Sequence, residues 1–248
     1  MFEAFTAAQL GLAAGIIFGA YVVRGLSGFG AGLVSTPLLA LLFPITMVVP
    51  TTALIVFVLF VLLTLRDRHQ VLWEEFWRLL WPTLAGVAGG LYLFTTLDNR
   101  LLQKMLGGFL LVYSAYMLLA CLIKSAQPMF SKRWAWPLGF AGAFIDALFG
   151  GGGGTLVVIY MHARTSDRKA FRATLAVLWF IEMIARIGGY LLAGFYTPPT
   201  LTLVASMLPF MLLGTLVGEQ LSNRVSQDTF NLIIAAMLLL SGVSLLMK

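Results

Sequence analysis

From Val48 to Leu65 the chain runs for 18 residues without a charged side chain, and runs of this kind follow one another along most of its length. A helix needs about 20 apolar residues to cross a bilayer core of about 30 Å. Six runs come near that length, those starting at Val48, Leu79, Leu101, Phe171, Thr200 and Phe230. Shorter ones lie at Leu10–Val23, Leu33–Phe43, Trp134–Phe149 and Thr155–Met161. Only 10% of the 248 residues are charged, against about 25% in soluble domains. With a mean hydropathy of +0.95, the chain has too little polar surface to face water on all sides. It reads as an all-α polytopic membrane protein, because in lipid a helix satisfies its own backbone.

The net charge of +6 sits in short loops between apolar runs, which points to membrane orientation and not to nucleic acid. The lone Cys121 and the separated His69 and His162 form no metal, haem or disulfide spacing, and no Gly-Lys-Ser/Thr phosphate loop occurs. No cofactor is expected, and no buried pair such as His with Asp suggests an enzyme. No basic segment precedes the first apolar run, so a cleaved signal peptide is not expected.

The short runs come in two pairs, each split by glycine: Gly25-Leu26-Ser27-Gly28-Phe29-Gly30-Ala31-Gly32, and Gly150-Gly151-Gly152-Gly153-Gly154-Thr155. Glycine disfavours helix by about 1 kcal/mol per residue, so five in a row predict a break; close helix packing through small residues is the alternative. A shift of 122 positions places Gly28, Gly30 and Gly32 on Gly150, Gly152 and Gly154, Phe18 on Phe140, and Thr52 on Thr174. A shift of 128 places Gly86 on Gly214 and Gly90 on Gly218. The chain therefore reads as two repeats, 1–123 and 124–248, each a glycine-broken helical hairpin followed by three transmembrane helices.

Charge chooses between topologies. If each glycine-split segment crosses once, the loop Lys and Arg divide seven against seven. If each enters and returns on one side, the division is eleven against three, the asymmetry expected of a cytoplasmic face. The hairpin reading makes the repeats inverted and places both termini on the non-cytoplasmic side. The expected location is the bacterial cytoplasmic (inner) membrane.

Inverted repeats with interrupted helices characterise many secondary transporters, with substrate held at the breaks. A helix starting at a break offers free amides and a partial positive charge to an anion. The expected substrate-binding residues are Arg24, Ser27, Gly28, Phe29, Gly30 and Gly32 in the first repeat. In the second they are Gly150, Gly151, Gly152, Gly153, Gly154 and Thr155, with the matched hydroxyls of Thr52 and Thr174. Those threonines line a cavity or bond back to their own helices. Asp146, the repeat counterpart of Arg24, is a proton carrier or a helix cap. Glu182 and Arg186, four apart on one helix, are a coupling pair or a structural salt bridge. Arg24 alternatively snorkels to a lipid headgroup. Arg66–Arg78, which mixes charges with Trp73, Phe76 and Trp77, reads as a surface-lying helix.

These two glycine-rich segments, with Pro37 after the first and Ala173-Thr174 after the second, resemble the paired motifs of the TauE/SafE sulfite exporter family, also called the toluene sulfonate uptake permease family. The resemblance runs from about Leu10 to Met247, with Ile159 where a second-half counterpart of Pro37 would stand. It implies a carrier of sulfite, sulfonates or related sulfur-containing anions with its site at the glycine segments. An anion channel built on the same helix termini is the alternative. Expected partners are a small anion, the lipid bilayer, protons as the candidate coupling ion, and a second copy of the chain as a candidate homodimer; nucleic acid is not among them.

Overall fold

The computed structural model describes residues 5–27, 30–67, 70–122, 131–221 and 227–247. Their regular structure is helical, with no strand among them: α1 (Ala7–Ser27), α2 (Ala31–Leu42), α3 (Ile45–Asp67), α4 (Trp73–Thr96), α5 (Asn99–Leu122), α6 (Ala135–Phe149), α7 (Gly154–His162), α8 (Arg168–Leu192), α9 (Pro198–Leu221) and α10 (Gln227–Met247). A 3₁₀ turn, Lys132–Trp134, precedes α6. Among the described residues each apolar run lies within one of these helices to within a residue at either end. Among the described residues α1, α4, α5, α8 and α9 are long and apolar enough to cross a membrane.

Two readings of the sequence change. The run Leu10–Val23 is part of a 21-residue helix, about 31 Å long at about 1.5 Å per residue, so α1 is of spanning length. The helix continues through Arg24 and Gly25 because each finds a place on α9, as described below. The segment from Trp73 to Arg78 is not a separate surface helix but the first turns of α4.

The helices form two compact units. The first holds α1, α2, α3 up to Thr52, α5, α9 and α10. In it α1 packs along α9, and α5 along α10. Asn99 at the start of α5 accepts from the Ile45 amide at 2.8 Å, and Gln103 donates to the Ala40 carbonyl at 3.2 Å, so α5 ties down the turn between α2 and α3. The second unit holds α3 from Ala53, α4, α6, α7 and α8. There α4 packs along α6 and α8, and α7 folds back on α6.

Glycine sets both of the closest helix pairs. A Cβ on Gly86 would meet the Phe140 carbonyl, and one on Gly90 would lie 2.6 Å from the Phe144 carbonyl and 2.8 Å from Ala147. In the first unit a Cβ on Gly214 would lie 2.5 Å from the Phe18 carbonyl; one on Gly218 would meet the Val22 carbonyl and lie 2.8 Å from Gly25. The sequence shifts of 128 and 122 carry one set onto the other, contact for contact. Helices approach this closely only where no side chain intervenes, and in lipid such packing drives association.

Gly218→Ala places a methyl against backbone that cannot move aside, and is expected to cost about 1–3 kcal/mol. Gly188→Ala, inside α8 with open space around its Cβ, is expected to be neutral or stabilising. Thermal unfolding of the two variants in detergent checks this; equal melting temperatures would refute the packing argument.

Candidate functional site

In the second unit the chain reverses between α6 and α7 through left-handed glycines. Gly150 has φ 78° and Gly152 φ 103°, values that side chains with a Cβ rarely adopt. The reversal brings the backbones of Gly142 and Gly153 together, so that a Cβ on Gly153 would fall on the Gly142 carbonyl. Helix α6 spans 15 residues and α7 spans 9, about 22 and 14 Å, so neither alone crosses a core of about 30 Å.

Asp146 lies one turn before the end of α6 and is buried. Its Oδ1 accepts from the Gly153 amide at 2.8 Å, and its carboxylate also engages the Gly154 amide. Its own carbonyl accepts from Gly150 at 2.9 Å. Asp146 therefore acts as a cap for α7. This corrects the expectation of open amides at the second glycine segment: those of Gly153 and Gly154 already hold a carboxylate of the same chain.

Opposite this turn lies one face of α8. Trp179, Glu182, Arg186 and Tyr190 recur every three or four residues and so share a side of the helix. The Trp179 ring lies 3.2 Å from where a Gly154 Cβ would stand, and the Tyr190 hydroxyl donates to the Ala147 carbonyl at 2.5 Å. Arg186 and Glu182 are 1% and 2% exposed. Arg186 Nη1 is 3.7 Å from Glu182 Oε1, longer than a charge-assisted hydrogen bond of about 2.8 Å. Arg186 Nε and Nη2, and Glu182 Oε1, have no hydrogen-bond partner among the described residues. Asp146, Glu182 and Arg186 act on one another electrostatically, so two carboxylates and one guanidinium share a buried helical interior.

Thr174 is fully buried; its hydroxyl accepts from the Leu72 amide at 2.9 Å and donates to the Ala170 carbonyl at 2.7 Å. Thr52, in the first unit, donates to Val49 at 3.0 Å. Both hydroxyls bond back to their own helices, the second of the two roles open to them. Thr155 sits half-buried in the first turn of α7.

The first unit holds the other candidates. Arg24 is buried near the end of α1, where Gly25 packs on the backbone of Gly218 and Glu219. Glu219 acts on Arg24 electrostatically, so this arginine has an acidic neighbour that the sequence reading did not anticipate. Gly30 precedes α2 with φ 90°, and Gly32 lies in the first turn of that helix. Gly28 and Phe29 lie outside the described residues, as does the side chain of Ser27. The sequence candidates thus fall into two groups. Asp146, the Gly150–Thr155 turn, Glu182 and Arg186 are brought together in the second unit with Thr174 bonded elsewhere; Arg24, Gly30, Gly32 and Thr52 belong to the first.

A third constellation escaped the sequence reading. Glu75, buried in the first turn of α4, accepts from Arg78 at 2.6 Å, from Arg164 at 3.0 Å and from the Tyr160 hydroxyl at 2.7 Å. It thereby fastens the far end of α7 and the loop beyond it to α4. The signal was present locally in Glu74, Glu75 and Arg78, three and four residues apart. The partners Tyr160 and Arg164 are 85 and 89 residues away.

No curated protein and no solved structure matches the chain. A family model does: sulfite exporter TauE/SafE, over residues 12–245. That match takes in both glycine-rich segments and every candidate residue, and this multi-pass membrane protein belongs to the sulfite exporter TauE/SafE family of transmembrane transporters.

Proposed function

We propose that the chain is a secondary carrier that moves a small sulfur-containing anion, such as sulfite or an organosulfonate, across the bacterial inner membrane by alternating access. The observation that carries this reading is the buried cluster of Asp146, Glu182 and Arg186 beside the α6–α7 glycine turn. Ionisable groups within a membrane are costly and mark substrate or proton pathways. Within the second unit the substrate-binding set extends to Gly150, Gly151, Gly152 and Thr155, beside the Gly153 amide that Asp146 holds. The coupling groups are Asp146, Glu182 and Arg186, with the proton as coupling ion.

The repeats 1–123 and 124–248 are inverted in this proposal. The matched glycine contacts of α1 with α9 and of α4 with α6 support a repeat, and the charge asymmetry supports the inversion. Both termini then face away from the cytoplasm, and a second copy of the chain completes a homodimer. Reporters fused at Met1 and Lys248 are expected to be active only on the non-cytoplasmic side; a cytoplasmic C-terminus would sink the inverted model.

Transport is tested with purified protein in liposomes. Radiolabelled sulfite is expected to enter saturably and to accumulate transiently by counterflow when the lumen holds unlabelled sulfite. A conductance that does not saturate and shows no counterflow would make the protein a channel.

A further inference from the structure

The guanidinium of Arg186 presents two sides to its surroundings. Nη1 faces Glu182 at 3.7 Å and the Met183 sulfur at 3.9 Å. Nε and Nη2, which form the bidentate edge of the side chain, make no well-formed hydrogen bond among the described residues although the residue is 1% exposed; the Tyr190 hydroxyl is the nearby polar neighbour of the guanidinium, and its own proton goes to Ala147. Buried polar groups are almost always satisfied, so an exception of this kind calls for an explanation. A parallel pair of N–H donors matches two oxygens carried on one central atom, as in a sulfonate, sulfite or carboxylate.

The acidic neighbours bear on what such an anion requires. Asp146 is committed to the α7 amides and stays in place. Glu182 has Arg186 as its sole ion-pair partner among the described residues, and its Oε1 has no hydrogen bond. If an anion takes Arg186, Glu182 is left as a buried unpaired carboxylate, which costs several kcal/mol. Taking a proton from solution removes that cost. The cluster then gains one negative charge from a monovalent anion and loses one at Glu182, so its net charge is unchanged. The other ionisable groups on the packed elements do not substitute for Glu182. Tyr160 at the far end of α7 is bonded to Glu75, Glu75 and Arg78 lie at the start of α4, Tyr92 of α4 is exposed, and Tyr190 donates to Ala147.

We infer that the Nε–Nη2 edge of Arg186 is the receptor for the oxygens of a small oxyanion, and that Glu182 takes up one proton each time the anion displaces it from Arg186. This deepens the carrier reading above and rests on it for transport, though not for binding. It moves the primary anion contact from Arg24 and the glycine amides to Arg186.

The test uses methanesulfonate, which keeps a single negative charge across the pH range, with acetate as a carboxylate of similar size. In detergent, methanesulfonate is expected to raise the melting temperature of the wild type, and acetate shares the effect if the site reads only paired oxygens. Arg186→Gln is expected to abolish the shift, and Arg186→Lys to weaken binding by about ten- to a hundredfold, the loss of one charge-assisted bond of the fork. Arg24→Ala is expected to retain it. In liposomes Glu182→Gln is expected to keep counterflow but to lose accumulation driven by a pH gradient, a split that a merely structural role would not produce. Methanesulfonate transport by the wild type should be insensitive to membrane potential.

The inference is overturned if Arg186→Lys binds like the wild type, if Arg24→Ala alone abolishes the shift, or if no anion shifts the wild type at all. Loss of pH-gradient accumulation and counterflow together in Glu182→Gln would overturn the proton step. An Arg186-dependent shift without transport by the wild type would uphold the binding site while the carrier reading fails.

Discussion

Glu75→Ala is expected to destabilise the folded protein by about 3 kcal/mol, read as a melting temperature lower by several degrees in detergent. Removing one partner of a buried ion pair typically costs about 3–5 kcal/mol, because the other charge is left unpaired. The lower figure applies because Arg78 and Arg164 keep about a quarter of their side chains exposed, at 24% and 23%, and can turn to water. The Tyr160 hydroxyl, at 0% exposure, has no such escape. Tyr160→Phe alone removes one hydrogen bond to a charged group and is expected to cost about 1.5–3 kcal/mol. The neighbouring Glu74 also carries two ion pairs, to Arg78 and Lys132, yet it is 69% exposed. Water screens pairs this exposed and ordering two long side chains costs entropy, so Glu74→Ala should be nearly silent. A Glu75→Ala variant as stable as Glu74→Ala would mean that α7 is not fastened to α4 through this carboxylate.

Gly153→Ala is expected to have the largest effect of any single methyl added to the second unit. Its Cβ would fall on the Gly142 carbonyl, while Gly142 itself approaches the Gly153 carbonyl from the other side. The two backbones must separate to admit it. Separation stretches the Gly153–Asp146 bond of 2.8 Å and moves α7 away from the α8 face that carries Glu182 and Arg186. Overpacking against side chains costs about 1–3 kcal/mol; here the obstacle is main chain, so the loss should reach or exceed the top of that range and abolish sulfite counterflow. Gly154→Ala meets the edge of the Trp179 ring at 3.2 Å, which can tilt, and the Asp146 carboxylate at 3.5 Å, an ordinary contact, and should retain a fold and measurable transport. If Gly153→Ala behaves like Gly154→Ala in both assays, the hairpin contact is not what holds the turn.

Much of this was legible before folding. Long uncharged runs compel helices, since no other open structure satisfies its backbone in lipid. The helix breaks fall at Gly30 and at Gly150–Gly153, and Gly30, Gly150 and Gly152 adopt the positive φ that their lack of a Cβ permits. The glycines that repeat at fixed shifts stand where two equivalent sets of close contacts form, because a missing side chain is a local property that sequence records directly. The common face of Glu182 and Arg186 followed from helical periodicity.

What the sequence could not decide was which surfaces meet. That α1 packs on α9, and α4 on α6, depends on contacts between residues about 50 or more apart in the chain, and no local periodicity encodes it. Arg24 seemed to end a short run; only the approach of Gly218 and Glu219 explains why the helix continues past it. The bond from the Gly153 amide to the Asp146 carboxylate depends on the α6–α7 turn, seven residues along the chain. The sequence by itself determined the solvent, the helices and the places where they break, because these depend on residue chemistry within a few turns. The tertiary structure alone decided that the second set of helix-terminal amides is occupied by Asp146 and that Arg186 keeps an unpaired edge, because both depend on groups from distant helices arriving within hydrogen-bond reach or failing to.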